Sequence, residues 1–326
     1  MIPTARLGRT GAAFTRLGLG TWAIGGPWRF GWGPVDDAES VAAIRRAVDE
    51  GINWIDTAAV YGVGHGEEIV GRALNGCATG DEVFVCTKCG RKTRPDGTPY
   101  GDLRPQSIRD ECEASLRRLG VERLDLYQIH WPDWDSGTPL EDSWSAMAEL
   151  VDEGKVRWIG VSNFDVEQLE RCEAIRHVDS LQPPLSLIQR VALHDVIPWA
   201  AERETGVIVY SPMASGLLSG TFDRGRLEDL PSDDMRLGRP EFAEPALSRN
   251  LALVDRLRAI AGELGGSVAE LAIAWALAQD GVTGAIVGAR RPGQLDGWIG
   301  AGQLELSREM LGAIDDAVAE TGAGAS

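Results

Sequence analysis

The chain is predicted to fold as a (β/α)8 TIM barrel of the α/β class, with an N-terminal hairpin closing the barrel floor and extra C-terminal helices. Three observations predict this. From residue 38 onward, short apolar runs alternate strictly with amphipathic helical stretches. Eight apolar runs can be counted, the number that closes a parallel barrel. Three successive runs each carry a proton-handling side chain at or just past the carboxyl end, where such a barrel keeps its functional rim.

In chain order, residues 5–16 read as a short hairpin with a Gly turn, and 17–20 as the first barrel strand. Helix 38–50 then leads to strand 52–56, helix 66–75 to strand 82–87, and helix 105–119, opened by Pro105, to strand 123–129. The alternation continues with helix 139–153 and strand 156–161, helix 165–176 and strand 179–182, and helix 195–204 and strand 206–210. Helices 246–264 and 267–279 precede the last strand, 284–288. Residues 211–245 show no periodicity and are rich in Gly, Asp and Arg, as long functional loops are. The small, polar tail 321–326 reads as disordered. Length allows two domains, but barrels commonly exceed 200 residues as one unit, so a single domain over 1–326 is expected.

Composition removes several function classes. A formal charge of −17 makes nucleic acid or an anionic membrane an improbable partner, because phosphate binding needs a basic face. The start, Met1-Ile2-Pro3, lacks a basic, apolar leader and the interior apolar runs are short, so a cytoplasmic protein with no membrane contact is expected. Five cysteines at irregular spacing argue against a disulfide framework. Cys86-Thr87-Lys88-Cys89 straddles a strand end rather than opening a helix, which sets a redox role aside. The histidines at 65, 130, 177 and 194 are scattered without ligand spacing, so no metal site is expected.

The stretch from Asn53 to Gly62 organises the chemistry. Its strand runs into Asp56, and Tyr61 follows five residues on. A phenol has an unperturbed pKa near ~10, so moving its proton near neutrality calls for a cation that favours the phenolate. Lys88 ends the next strand and His130 the one after. Only three of the 32 basic residues are lysine, which suggests that a compact ammonium is wanted at position 88. Lys88 is expected to hydrogen-bond the phenol and lower its pKa, and Asp56 to hold the ammonium.

Gly18-x-Gly20-x-x-Ala23 matches a dinucleotide fingerprint as a bare pattern, but no helix follows it, so it is rejected. The first loop, with Trp22, Trp28, Phe30 and Trp32, reads either as the wall of an apolar pocket or as tryptophans covering the barrel.

At Asp56-Thr57-Ala58-x-x-Tyr61-Gly62, and again at Met147-x-x-Leu150-x-x-x-Gly154-Lys155-Val156-Arg157-x-Ile159-Gly160-Val161-Ser162-Asn163-Phe164, the chain resembles the aldo-keto reductase family. Its loops most resemble the bacterial branch that includes general stress reductases. The resemblance implies Asp56, Tyr61, Lys88 and His130 as the catalytic set and a nicotinamide cofactor, NADPH, with NADH left open. It implies that Ser162, Asn163 and Gln182 bond the carboxamide, that Tyr210 stacks on the nicotinamide, that Ser211, Met213, Gly216 and Gly220 form the pyrophosphate loop, and that Leu218 is a further cofactor contact. Thr21, Trp22, Asp56, Gly288, Arg290 and Gln294 complete the implied cofactor contacts. Trp22, Trp28, Trp32 and Trp131 are the implied substrate wall.

Gly288 and Ala289 stand where many members place a basic residue and a hydroxyl for the NADP 2'-phosphate, and Trp298 stands where the family has asparagine. Arg290 or Arg291 is expected to take over that phosphate. The expected activity is reduction of a small-molecule aldehyde or ketone. The alternatives are an aldose 1-dehydrogenase and an NADP-binding regulatory subunit; the oligomeric state is undetermined.

Overall fold

The structure, a computed structural model, describes residues 1–28, 31–77 and 82–325. Phe30 lies outside the described residues. The barrel strands are β3 (Leu17–Gly20), β4 (Trp54–Asp56), β5 (Phe84–Cys89), β8 (Leu124–Ile129), β9 (Val156–Ser162), β10 (Ser180–Gln182), β11 (Gly206–Val209) and β12 (Val282–Gly288). They close in the order β10-β11-β12-β3-β4-β5-β8-β9, every neighbour parallel.

The helices between them begin and end on local signals. Asp36 caps α1 (Asp37–Asp49) by accepting from the Glu39 N–H. After α2 (His65–Leu74), α3 (Pro105–Leu119) has the bounds the sequence predicts, because Pro105 starts it and Gly120 at φ 71° ends it. Next come α4 (Leu140–Asp152) and α5 (Val166–Glu173), the latter capped by an Asp165/Gln168 box and shorter than the predicted 165–176. The outer ring is completed by α6 (Val196–Glu202), α8 (Ala246–Glu263) and α9 (Val268–Leu277). Among the described residues no single helix is long and apolar enough to cross a membrane.

Side chains on a strand alternate between faces, so the interior can be read in layers. The lower layer is aromatic. Strands β1 (Thr4–Arg6) and β2 (Ala13–Thr15) pair antiparallel across the floor, and Phe14 stacks on Trp54 and Phe84 with centroids 5.3 and 4.9 Å apart. Trp54 donates Nε1–H to the Thr15 carbonyl at 2.7 Å, pinning plug to barrel. Room for that indole comes from Gly18, where a Cβ would run into the ring. One layer up, the inward positions turn polar: Asp56, Lys88, Gln128, Ser162 and Gln182, all buried.

Three segments differ from expectation. A hairpin, β6 (Arg91–Thr93) with β7 (Pro99–Gly101), rises beyond β5 and was not predicted; strands of three residues, Arg-Lys-Thr and Pro-Tyr-Gly, carry no readable alternation. The 211–245 segment holds α7 (Arg224–Glu228) and several 3-10 turns, and is anchored by buried Phe222 and Phe242 in edge contact. The tail predicted to be disordered is instead packed through residue 325. After α10 (Arg308–Thr321), Ala323 is buried, the Gly324 N–H donates to Asn250 Oδ1 at 3.3 Å, and Arg249 donates to the Ala325 carbonyl at 2.8 Å.

Trp54→Ala empties the centre of the lower layer. It is expected to lower stability by about 3–5 kcal/mol, read as a fall in the urea unfolding midpoint.

Candidate active site

The polar layer is built on one ion pair. Lys88 Nζ donates to Asp56 Oδ1 at 2.6 Å and to the Thr57 carbonyl at 2.8 Å, with the lysine 1% and the aspartate 3% exposed. Gln182 Nε2 donates to the other oxygen, Asp56 Oδ2, at 2.9 Å and to Gln128 Oε1 at 3.0 Å. Burial pushes the Asp56 pKa up, and the Lys88 charge with the two hydrogen bonds pulls it back.

Tyr61 closes this layer from above. Its turn depends on Gly62, at φ 60°, where a Cβ would strike the Gly25 carbonyl, and on Val63, held at φ 56°. Lys88 Nζ lies 5.3 Å from the phenol centroid, and the His130 ring meets Tyr61 edge-on at 5.8 Å. Here the structure corrects the sequence reading. Among the described residues no hydrogen bond joins Lys88 to the Tyr61 hydroxyl, because the ammonium is turned toward Asp56 and Thr57. The Tyr61 pKa is also pushed up, by burial first and the Asp56 charge second, rather than lowered. His130 is pushed well down by burial, then by Lys88 and Arg91, and is a neutral imidazole at pH 7.

A cleft of about 990 Å³ opens over these groups at the carboxyl ends of the strands. Asp56, Tyr61 and His130 line its inner end, with Lys88 beneath them. Ser162, Asn163, Gln182 and Tyr210 line the middle. Their polar atoms interlock: Tyr210 donates its hydroxyl to Asn163 Oδ1 at 2.7 Å, Asn163 Nδ2 donates to the His130 carbonyl at 3.0 Å, and Ser162 donates to the Gln182 carbonyl at 2.8 Å. Ser211, Met213, Gly216, Gly288, Arg290 and Gln294 line the same cleft. Trp22, Trp28, Trp32 and Trp131 all line the cleft.

Backbone strain gathers on the same rim. Asn163, Ser211, Ala214 and Ser215 have positive φ, of 64°, 56°, 47° and 55°.

Three expected contacts do not line the cleft, Gly220 among them. Thr21 is buried with its hydroxyl on the Asp56 carbonyl at 3.1 Å, and Leu218 sits in the apolar core. Arg291 also points elsewhere, pairing with Glu39 at 3.0 Å on the surface, whereas Arg290 lines the cleft. Sequence reasoning missed Gln128, Arg91, Trp134, Arg236, Arg239 and the role of Trp298 as cleft wall. Gln128 had a signal: it is the one polar inward position on the apolar strand that ends at His130. Arg236 and Arg239 stand in a segment without periodicity and had none.

At the far end, Trp32 is gripped by two guanidinium groups, Arg236 at 4.7 Å and Arg290 at 5.7 Å from the ring. Arg236 is neutralised by Asp234 at 2.7 Å and Arg239 by Glu241 at 3.3 Å. Among the described residues Arg290 has no carboxylate partner; it donates to the Trp32 carbonyl at 3.1 Å. The buried indole N–H of Trp298 has no partner either. A second hollow of about 710 Å³ beside Arg45 and Arg72 is remote from all these groups. Among the described residues no cluster of three or more His, Cys, Asp or Glu could hold a metal.

The profile of the aldo/keto reductase family matches residues 16–319. The chain is 39% identical to the aldo-keto reductase YhdN of Bacillus subtilis over 88% of this chain and 85% of that one. It is 32% identical to an NADH-specific methylglyoxal reductase of Escherichia coli over 95% of this chain and 98% of that one. A solved structure, the glycerol dehydrogenase AKR11B4 from Gluconobacter oxydans, superposes with a TM-score of 0.88 at 40% identity, covering 98% of this chain and 95% of that one.

Where the chain leaves β5 just after Lys88, the Gly90 N–H is held by buried Glu111, both carboxyl oxygens at 3.3 Å. Burial raises the Glu111 pKa from 4.5 to about 7. The folded state therefore holds this proton more tightly than the unfolded chain, so its contribution is fully present below 4.5 and is lost as pH rises through about 7. Glu111→Gln removes that dependence. Relative to wild type it is expected to gain roughly 3 kcal/mol between about pH 5 and about pH 8, read from urea midpoints at the two pH values.

Proposed function

The chain belongs to the aldo/keto reductase family and is an NAD(P)H-dependent oxidoreductase, and from that premise we propose that it reduces aldehyde or ketone carbonyls to alcohols with NADPH, Tyr61 giving the proton. The observation that carries this is the stack of Tyr61 and His130 over the buried Lys88–Asp56 pair at the closed end of an elongated cleft.

The cleft suits an extended anionic dinucleotide. Its far end carries an unneutralised Arg290 and an unpaired indole N–H in a chain whose overall charge is −17. Arg290 and Gln294 would hold the adenosine end, Ser211, Met213 and Gly216 the pyrophosphate, and Ser162, Asn163, Gln182 and Tyr210 the nicotinamide. When bound, the reduced cofactor supplies hydride to a carbonyl carbon. Neutral His130 donates an N–H to the carbonyl oxygen and fixes its direction as negative charge grows there. Tyr61 then gives that oxygen its proton.

The raised pKa of the phenol fits this direction. A donor must hold its proton until an alkoxide forms, and burial keeps Tyr61 protonated at neutral pH. The Lys88 ammonium beneath the ring offsets the phenolate left behind, and Asp56 keeps it in place. Alcohol oxidation is the second reading, favoured by the name of the glycerol dehydrogenase neighbour. It needs the phenolate as base and gains with rising pH. A cytoplasmic location accompanies the proposal.

Tyr61→Phe is expected to lower kcat for aldehyde reduction by about 10²–10⁴-fold, with the dissociation constant of NADPH, followed by fluorescence titration, changing far less. Near-wild-type turnover would remove Tyr61 as the acid. Arg290→Met is expected to weaken NADPH relative to NADH by roughly tenfold in the same titration. An unchanged ratio would place the 2'-phosphate elsewhere.

A further inference from the structure

Besides Arg290, the cleft is lined by a second half-buried guanidinium that has no ion pair among the described residues, Arg91. Arg91 follows Gly90, which at φ 84° turns the chain sharply out of the barrel because any Cβ there would strike Leu103. The turn brings a half-buried guanidinium into the same cleft as Tyr61 and His130, close enough for its charge to act on the imidazole. Arg91 lies over the Trp134 ring at 5.3 Å, and Trp134 meets Trp131 edge-on at 5.7 Å.

Among the described residues Arg91 has no carboxylate partner, although Asp135 stands near enough for its charge to act on it. Asp133 is spent on its own loop, accepting from the backbone N–H groups of Asp135, Ser136 and Thr138 at 3.0, 2.9 and 3.0 Å. Asp135 accepts from the Gly101 N–H at 2.5 Å and acts on Arg91 only through space. Among the described residues no hydrogen bond or ion pair engages the Arg91 side chain. Stacking on an indole occupies the face of a guanidinium and leaves its N–H edge open, the edge that binds a carboxylate with two parallel hydrogen bonds.

We infer that Arg91, backed by Trp134, is a carboxylate-binding subsite at the substrate end of the cleft, so that the chain selects carbonyl compounds carrying a carboxylate a few atoms from the reacting carbon. A single guanidinium on which the Asp135 charge already acts suits one negative charge better than a phosphate dianion. Partial desolvation strengthens the pairing, and the guanidinium stays charged through the neutral range. This assignment deepens the reductase reading of the same cleft and rests on it for the reacting carbonyl.

The test compares the full-length enzyme with Arg91→Met and Arg91→Lys on matched aldehydes, succinic semialdehyde against butanal and 4-carboxybenzaldehyde against 4-methylbenzaldehyde. The ratio of kcat/KM, acid over neutral, is expected to exceed about ten in wild type and to fall roughly tenfold in Arg91→Met, chiefly through KM. Arg91→Lys should fall between, keeping the charge but losing the fork. A wild-type ratio near one, or an unchanged ratio in Arg91→Met, overturns the subsite. Binding of benzoate against benzamide to the enzyme with NADP+, followed by tryptophan fluorescence, reads the subsite without turnover. Benzoate preference that vanishes in Arg91→Met, with no aldehyde turned over, keeps the subsite and rejects the reductase reading. Turnover with no such preference does the reverse.

Discussion

The ion pair between Lys88 and Asp56 is the constraint on which the rest of the rim depends. Taking both charges out of water costs several kcal/mol per ion, and an isolated pair recovers this only with good geometry and further hydrogen bonds. Those are present: the ammonium also reaches the Thr57 carbonyl, and the carboxylate also takes the Gln182 amide. The pair is therefore a poor explanation of stability and a good one of position. It joins the ends of β4 and β5 and fixes an ammonium under the Tyr61 ring. Through Gln182 and Gln128 it ties the far wall of the barrel to the same point.

This arrangement changes how the phenol is understood. Reasoning from residue types alone asks the lysine to make tyrosine more acidic. In the folded chain the ammonium is turned to Asp56, and burial, with the Asp56 charge second, raises the phenol's pKa instead. A donor to an alkoxide loses nothing by this, since the alkoxide is far the stronger base. On the proposed reading the ammonium would matter at the moment the phenolate appears rather than before.

Much of the barrel was legible because its signals are local. Pro105 and Gly120 fix both ends of α3, and apolar runs mark the strands. Asp56, Tyr61, Lys88 and His130 could be found because the end of a parallel strand is a defined place. What stayed hidden is decided by partners distant in sequence. The tail is held by Asn250 and Arg249, more than seventy residues upstream, so its small polar composition misleads. Leu218 falls within a loop that otherwise follows the cleft, yet the core takes it. Which of Arg290 and Arg291 faces the cleft is settled by Glu39, a residue of α1 that no linear pattern connects to them.

Charge placement follows from the same logic of partners. In a chain of formal charge −17, most guanidinium groups at the surface have a carboxylate within reach, and this is the expected state. Arg290 and Arg91, both half-buried, depart from it in the wall of one cleft, and the Arg91 charge reaches His130. Leaving a half-buried cation unanswered is unfavourable for the protein alone, so its persistence is explained most simply by an anion that arrives with a ligand. On the proposed reading the two positions would give the cleft a direction: a cofactor would enter with its phosphates toward Arg290, and a substrate from the side of Trp131 and Trp134. The reacting carbonyl would then be placed where both approaches meet, over Tyr61 and His130.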